Sequence, residues 1–169
     1  MKNLTVFTLT LVSALSLAAA DANPSVFYKL DFTVRDMEAG KTIESHTYST
    51  RMGTLQGNSN ASIRTGGKVP VSTSTDSPLT ASQFTYIEVG TNFDLRHFSE
   101  AGGEVSLEVV AEVSSIVGST ERLNRPIIRQ NKWNSVISAK IGKPTVIFSS
   151  DDLTTKRQMV VEMTATPIH

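Results

Sequence analysis

The stretch QFTYIEVGTNFDLRHFSEAGGEVSLEVVAEVS, residues 83–114, decides the fold class of this chain. From Glu104 to Ser114, small or apolar residues alternate with mostly polar ones, and the first set is Val105, Leu107, Val109, Ala111 and Val113. This alternation is typical of a β-strand with one buried face. The residues Ala101-Gly102-Gly103 in front of it suit a tight hairpin turn. The whole stretch predicts three successive β-strands that build a long sheet face.

The first twenty residues have the three parts of a secretory signal peptide. Lys2 gives the basic start, an apolar run extends from Leu4 to Leu17, and Ala18-Ala19-Ala20 supplies the small residues of a cleavage site. A second possible cut follows Ala22. A membrane anchor is the alternative interpretation, but Thr and Ser interrupt the run and no charged stop-transfer cluster follows it. The sequence therefore predicts export and removal of residues 1–20.

The remaining residues, 21–169, are predicted to form a single β domain. Ser, Thr and Val are abundant, and helical windows rich in Ala or Leu are missing after the leader. Sixteen basic residues balance sixteen acidic ones without a basic cluster, which argues against nucleic acid as a partner. There is no cysteine, so a disulfide framework is excluded and the core alone must stabilise the fold.

The patterns along this domain predict eight to ten strands in an antiparallel two-sheet sandwich or a partly open barrel. The segment Lys41 to Met52 is predicted near a sheet edge because it is less apolar. The segment Lys68 to Val71 is predicted at an edge or a bulge because Pro70 lacks an amide donor. Six residues on alternating positions are predicted in the core: Val105, Leu107, Val109, Val113, Val161 and Met163.

The sequence offers little to support catalysis or a cofactor. The three histidines are far apart, and the serines lack a G-x-S-x-G context. Asp94 and His97 are three residues apart on a predicted strand, so their side chains should lie on opposite faces. We therefore predict no enzyme, no cofactor and no metal, and a Ser-His-Asp set assembled from distant loops is the alternative.

Two residues are candidates for ligand or partner contact. Trp133 lies among the polar residues Asn131, Lys132 and Asn134, where it could stack on a sugar or a peptide. The alternative is that it caps one end of a β core, as such a tryptophan more often does. Pro78 lies in the polar stretch 72–82, which is predicted to be an exposed loop.

Six short elements in order over residues 61–168 resemble the core β domain of bacterial secretins. They are IRTGGKVPV at residues 63–71, YIEVGTNFDL at 86–95, the strand from Gly103 to Ser114, PIIR at 126–129, GKPTVI at 142–147 and the closing strand from Arg157 to Ile168. Secretins are the outer-membrane channel subunits of type II and type III secretion and type IV pilus systems. The resemblance implies a related β-rich fold.

The resemblance, together with the predicted edge strands, implies a non-enzymatic exported envelope protein. It would act by self-association or by docking to an outer-membrane or secretion-type complex, because an unblocked strand edge is a template for pairing. Its partners would be copies of itself or other envelope proteins, and its location periplasmic or outer-membrane-associated. The alternative function is a soluble periplasmic β-sandwich that serves as a ligand-binding module or hydrolase.

Overall fold

A computed structural model describes residues 26–54, 60–72, 84–119, 126–153 and 155–168. These residues form eight β-strands: Phe27–Glu38 (β1), Lys41–Gly53 (β2), Ala61–Ser72 (β3), Phe84–Ala101 (β4), Glu104–Ser119 (β5), Pro126–Lys140 (β6), Thr145–Asp151 (β7) and Arg157–Ile168 (β8). Within the described ranges there is no helix long and apolar enough to cross a membrane. The all-β prediction and its lower strand count are confirmed.

The strands build two four-stranded sheets, and every pair of neighbours is antiparallel. Sheet A has the order β2-β1-β8-β7 and sheet B the order β3-β4-β5-β6. Their facing sides enclose one core, in which Phe32 of sheet A stacks on Phe93 of sheet B with ring centroids 4.8 Å apart. Neither sheet closes on itself, so the fold is the predicted two-sheet sandwich.

The alternation of apolar residues identified most of the core correctly. Five of the six predicted residues are at most 1% exposed: Val105, Leu107, Val109, Val161 and Met163. Val113, the sixth, is only partly buried and packs against the margin of the core. It is the last residue of β5 that pairs with β4.

The prediction of three strands in residues 83–114 is wrong, because β4 is a single strand of 18 residues. Its alternation is interrupted by a β-bulge between Arg96 and Ser99, where His97 adopts a φ of +54°. The bulge turns Phe98 into the core and brings His97 to Glu108 on the outer face of sheet B. Asp94 also lies on that face, beside Arg64. The two residues predicted on opposite faces therefore share one.

Sheet B divides into two hairpins near Gly90. The ladder between β4 and β5 ends at Thr91 and Val113, although both strands continue. Residues 84–89 stay paired with residues 67–72, which we call arm 1. Residues 115–119 stay paired with residues 126–129, which we call arm 2. Large apolar side chains are exposed on both arms: Phe84, Tyr86, Ile87, Ile116, Val117 and Ile127.

Candidate functional site: sheet edges and diverging arms

Each sheet of the sandwich ends in two strands with a partner on one side only. These edge strands are β2 and β7 in sheet A and β3 and β6 in sheet B, and the two predicted edge segments lie on β2 and β3. Because each sheet contains an even number of antiparallel strands, its two edges run in opposite directions. Each sheet therefore offers two edges of opposite polarity.

The edges of the two sheets coincide on both sides of the sandwich. On one side, Trp133 of β6 stacks on Phe148 of β7, with ring centroids 4.1 Å apart and ring planes 11° apart. On the other side, Thr91 of β4 donates a hydrogen bond of 3.1 Å to the hydroxyl of Tyr48 on β2, and β3 lies beside β4. One flank thus presents β2 and β3, and the opposite flank presents β6 and β7.

The outer face of sheet B is mostly polar, and a cation on each of its edge strands is paired with a carboxylate. Arg64 on β3 lies 2.6 Å from Asp94, and Lys132 on β6 lies 3.1 Å from Glu112. Each contact joins an edge strand to the neighbouring inner strand of the same sheet. The charges are therefore neutralised within the sheet, which leaves the edge itself without a large excess of either sign.

A cluster of ionised side chains joins the two sheets at the end where the arms leave. Arg129 of β6 contacts Asp36 at the end of β1 and Asp152 in the turn before β8, at 2.6 and 3.2 Å. All three side chains are at most 18% exposed. The partners are 93 and 23 residues away in the chain, so no sequence spacing could have indicated this cluster.

Arm 1 leaves the sandwich at a pair of facing glycines. Gly66 and Gly90 are opposite each other in the β3–β4 ladder, with φ of +153° and +148°. A Cβ on Gly90 would lie 2.1 Å from the carbonyl oxygen of Thr65, and one on Gly66 2.1 Å from that of Val89. Only glycine fits at either position. An isolated glycine inside a strand pattern is the sequence signal that could have indicated this bend.

The two predicted contact residues are not brought together among the described residues. Trp133 is partly buried against the core, and its ring makes an edge contact with Phe93 at 6.1 Å besides the stack on Phe148. This position is what the core-capping alternative implies. Pro78 lies outside the described residues. Ligand or partner contact by either residue stays a prediction.

A groove and a cleft in the described part of the chain are lined with polar groups. A groove of about 600 Å³ lies on the outer side of the glycine bend, between Arg64, Lys68, Glu88 and Asn92. A cleft of about 160 Å³ lies between the sheets at the base of the arms, where Arg129, Asn131 and His46 reach it. The polar groups around the groove are largely paired with each other, as in the contacts of Arg64 with Asp94 and of Lys68 with Glu88.

The histidines of the described residues do not form a catalytic arrangement. His46 pairs with Glu44 at 2.8 Å, and His97 pairs with Glu108 at 3.1 Å. Both imidazoles are more than half exposed, and neither pair includes a hydroxyl nucleophile. Over the same residues, no group of three or more metal-ligating side chains comes together. The geometry of the described part thus points to the edges and the arms.

Fold and surface together define an all-β sandwich with open sheet edges, and the chain belongs to the secretin family. The sequence profile described as "Bacterial type II and III secretion system protein" matches residues 41–160, which is more than half of the chain. The resemblance predicted from six sequence elements is confirmed. Family membership supports a non-enzymatic role connected with secretion and, in general terms, a place in the bacterial envelope. No curated protein matches the sequence.

Several solved secretin structures are similar to this chain at low sequence identity. The InvG secretin domain of the Salmonella SPI-1 injectisome is 8% identical, with a TM-score of 0.48, and the match covers 86% of this chain and 62% of that one. GspD of enteropathogenic Escherichia coli is 11% identical, with a TM-score of 0.48, and the match covers 86% of this chain and 67% of that one. ExeD of Aeromonas hydrophila is 13% identical, with a TM-score of 0.44, and the match covers 85% of this chain and 47% of that one. The chain thus spans less than two thirds of the InvG and ExeD structures.

Proposed function

We propose that this chain is a non-enzymatic component of a bacterial envelope complex and that it acts by self-association through its sheet edges. The observation that carries the proposal is that both sheets are open and that their edges coincide on opposite flanks of one sandwich. A strand edge with free N–H and C=O groups pairs with another strand unless it is blocked. Copies of the chain therefore carry complementary templates.

The geometry of the edges favours a head-to-tail contact between copies. When two copies stand side by side with their strands parallel to a common axis, β3 of one copy meets β6 of the next in antiparallel orientation. On the same flanks, β2 meets β7, so one contact would extend both sheets. Such heterologous contacts produce rings when the rotation closes and filaments when it does not.

The side chains on the two edges of sheet B suit this pairing. Ile63 on β3 and Ile137 on β6 both pack against the core, whereas Arg64 and Lys132 lie on the outer face with their acidic partners. A shared ladder would keep apolar residues inside and polar residues outside across the junction. Edge pairing between copies would then bury no charged side chain.

We further propose that the arms supply contact with the outer membrane. The described residues of arm 2 carry no charge outside Arg129, and they expose Ile116, Val117 and Ile127 at 50%, 49% and 47%. Exposed apolar surface of this kind marks interaction with lipid or protein. Export with removal of residues 1–20 belongs to the same proposal, and N-terminal sequencing of the periplasmic form tests it directly.

A proline at the free edge of β6 tests self-association. Alternate β6 residues direct their N–H groups away from β5, and Asn134 is one of them by the register of the β5–β6 ladder. Asn134→Pro removes this edge donor, whereas the matched control Asn134→Ala removes the same side chain and keeps the N–H. The mature wild-type protein, with and without lipid, is compared with both variants by light scattering and electron microscopy.

We expect oligomers for the wild type and for Asn134→Ala, and monomers for Asn134→Pro with an unchanged β-type circular dichroism spectrum. A wild type that stays monomeric with and without lipid would contradict self-association. Oligomers of Asn134→Pro equal to those of the wild type would contradict the role of the β6 edge. Of these two outcomes, the monomeric wild type would favour the soluble ligand-binding alternative.

A further inference from the structure

The place where sheet B divides contains an unusual pair of hydrogen bonds. The backbone N–H of Gly90 donates to Oγ of Ser114 at 3.0 Å, and the hydroxyl of Ser114 donates to the carbonyl oxygen of Gly90 at 3.4 Å. Both backbone groups of Gly90 therefore point toward β5. In a regular antiparallel ladder they would bond to the backbone of Ser114 itself. The side chain of Ser114 occupies the position of a backbone partner.

On β4 the hydrophobic pattern gives no reason for the β4–β5 ladder to end here. Its last pair is Thr91 with Val113, and each further step in the same register would join one earlier residue of β4 to one later residue of β5. Val89 would then meet Ser115, and Glu88 would meet Ile116. The alternation of β4 continues in phase, because Val89 keeps the parity of the inward-facing Thr91, whereas on β5 Ser115 and Ile116 reverse it. On β4 the chain could extend the ladder without turning an inward position outward.

Two features at the division could end the ladder. One is the bend at Gly66 and Gly90, which directs arm 1 away from the plane of sheet B. The other is the Ser114 hydroxyl, which satisfies the only two groups through which Gly90 could pair with β5. Ser114 is 8% exposed, so its hydroxyl must be paired in some way to be stable there. Both features lie at Gly90, but only the hydroxyl bonds directly to the two groups that the ladder would use.

We propose that Ser114 is the positioning residue that ends the β4–β5 ladder and so determines where the two arms begin. Without the hydroxyl, the backbone of Gly90 can be satisfied only by the backbone of residue 114 or by water. The ladder would then extend into the arms in its existing register. This inference depends on the fold alone and holds whether or not the chain associates with itself.

Replacing Ser114 by Thr or Val gives a matched pair of variants, since both add a methyl group and only Thr keeps the hydroxyl. Amide hydrogen exchange by NMR is followed at Glu88 and Ile116, the next residues whose N–H groups would face each other across the two strands. We expect Ser114→Thr to exchange like the wild type. In Ser114→Val we expect both amides to slow by roughly five- to tenfold, the effect of one added backbone hydrogen bond each.

A second measurement uses the absence of native cysteine from the chain. The pair Val89→Cys with Ser115→Cys is introduced into both backgrounds, because these residues become direct neighbours when the ladder extends. We expect a several-fold higher yield of the disulfide with Val at position 114 than with Thr, and Ser114→Ala serves as a smaller second variant without a hydroxyl. Equal exchange and equal disulfide yield in the two backgrounds would overturn the proposal and assign the division to the glycine bend. Unfolding of both variants that lack the hydroxyl, with Ser114→Thr folded, would overturn it as well, because the ladder would then be unable to extend.

Discussion

Arg129 and Asp36 join the two sheets, with Nη2 of the arginine 2.6 Å from Oδ2 of the aspartate across 93 residues of chain. Burial alone would lower the pKa of Arg129, but the hydrogen bonds and charges of Asp36 and Asp152 outweigh it and raise the pKa above its ordinary value. Stability from a group with a raised pKa is present below its unfolded pKa, which for arginine lies far above neutral pH, and is lost only above it. The guanidinium thus stays charged throughout the neutral range.

Replacing Arg129 by Met should strongly destabilise the fold. The substitution leaves two carboxylates, Asp36 and Asp152, largely buried at 17% and 13% exposure without their counter-charge. We expect a loss of about 3 to 5 kcal/mol in the free energy of unfolding, as for other broken buried ion pairs. Urea unfolding at pH 7 measures it.

Lys132→Met is the matched control on the same strand. Lys132 is 61% exposed and its ion pair is with the half-buried carboxylate of Glu112, so its removal should cost less than about 1 kcal/mol. Equal losses in the two variants would show that the ionic cluster does not hold the sheets together.

Tyr28 should make the stability sensitive to alkaline pH. Burial, and to a lesser degree the charge of Glu100, raises the pKa of Tyr28 above its ordinary value of 10.0. As pH rises through 10 the unfolded chain loses this proton while the folded chain keeps it, so stability falls there. Tyr28→Phe should reduce the fall in melting temperature between pH 9 and pH 11, because the phenol is gone.

Tyr86→Phe provides the control for this titration. Tyr86 is 63% exposed on arm 1, away from the core around Tyr28, so the loss of its hydroxyl should leave that core unchanged. The variant should keep the full alkaline loss. A Tyr28→Phe protein that loses as much stability as Tyr86→Phe would contradict the assignment to Tyr28.

The fold class could be predicted because alternation and turn residues act locally. The pattern from Val105 to Val113 identified the inward face of β5, and Gly102 and Gly103 adopt the positive φ values that a tight turn needs. The order of the short elements was also sufficient to indicate the family. Each element includes part of a strand, and the strands follow one another in a fixed order along the chain.

The features at the base of the arms could not be predicted, because they depend on contacts between distant residues. Ser114 continues the polar side of its strand in the sequence, yet it is buried and bonded to Gly90. The bulge at His97 shifts the parity of β4, and only the spacing of three between Leu95 and Phe98 indicated it. Arg129 finds its partners on β1 and in the turn between β7 and β8, which no local pattern encodes.

Gly90→Ala should destabilise the protein because the backbone there is closed to a side chain. The residue has a φ of +148°, and an added Cβ would lie 2.5 Å from Cα of Gly66. We expect a loss of at least about 1 to 3 kcal/mol from the backbone strain alone, measured by urea unfolding.

Gly67→Ala is the neighbouring control, since an added Cβ at that position meets no atom within 4 Å. Its unfolding free energy should change by less than about 1 kcal/mol. If the two alanine variants were equally stable, the close approach of β3 and β4 at Gly66 and Gly90 would not be a constraint on the fold.

The fluorescence of Trp133, the single tryptophan of the chain, distinguishes its two predicted roles. Within the described ranges its Nε1 is buried without a hydrogen-bond partner, and its ring stacks on Phe148. A residue in this packing should emit at short wavelength and be poorly quenched by acrylamide. Phe148→Ala should shift the emission to longer wavelength, because the indole loses its cover, whereas Phe84→Ala on exposed arm 1 should leave it unchanged. A wild-type protein that is freely quenched would instead favour the prediction that Trp133 is an open ligand contact.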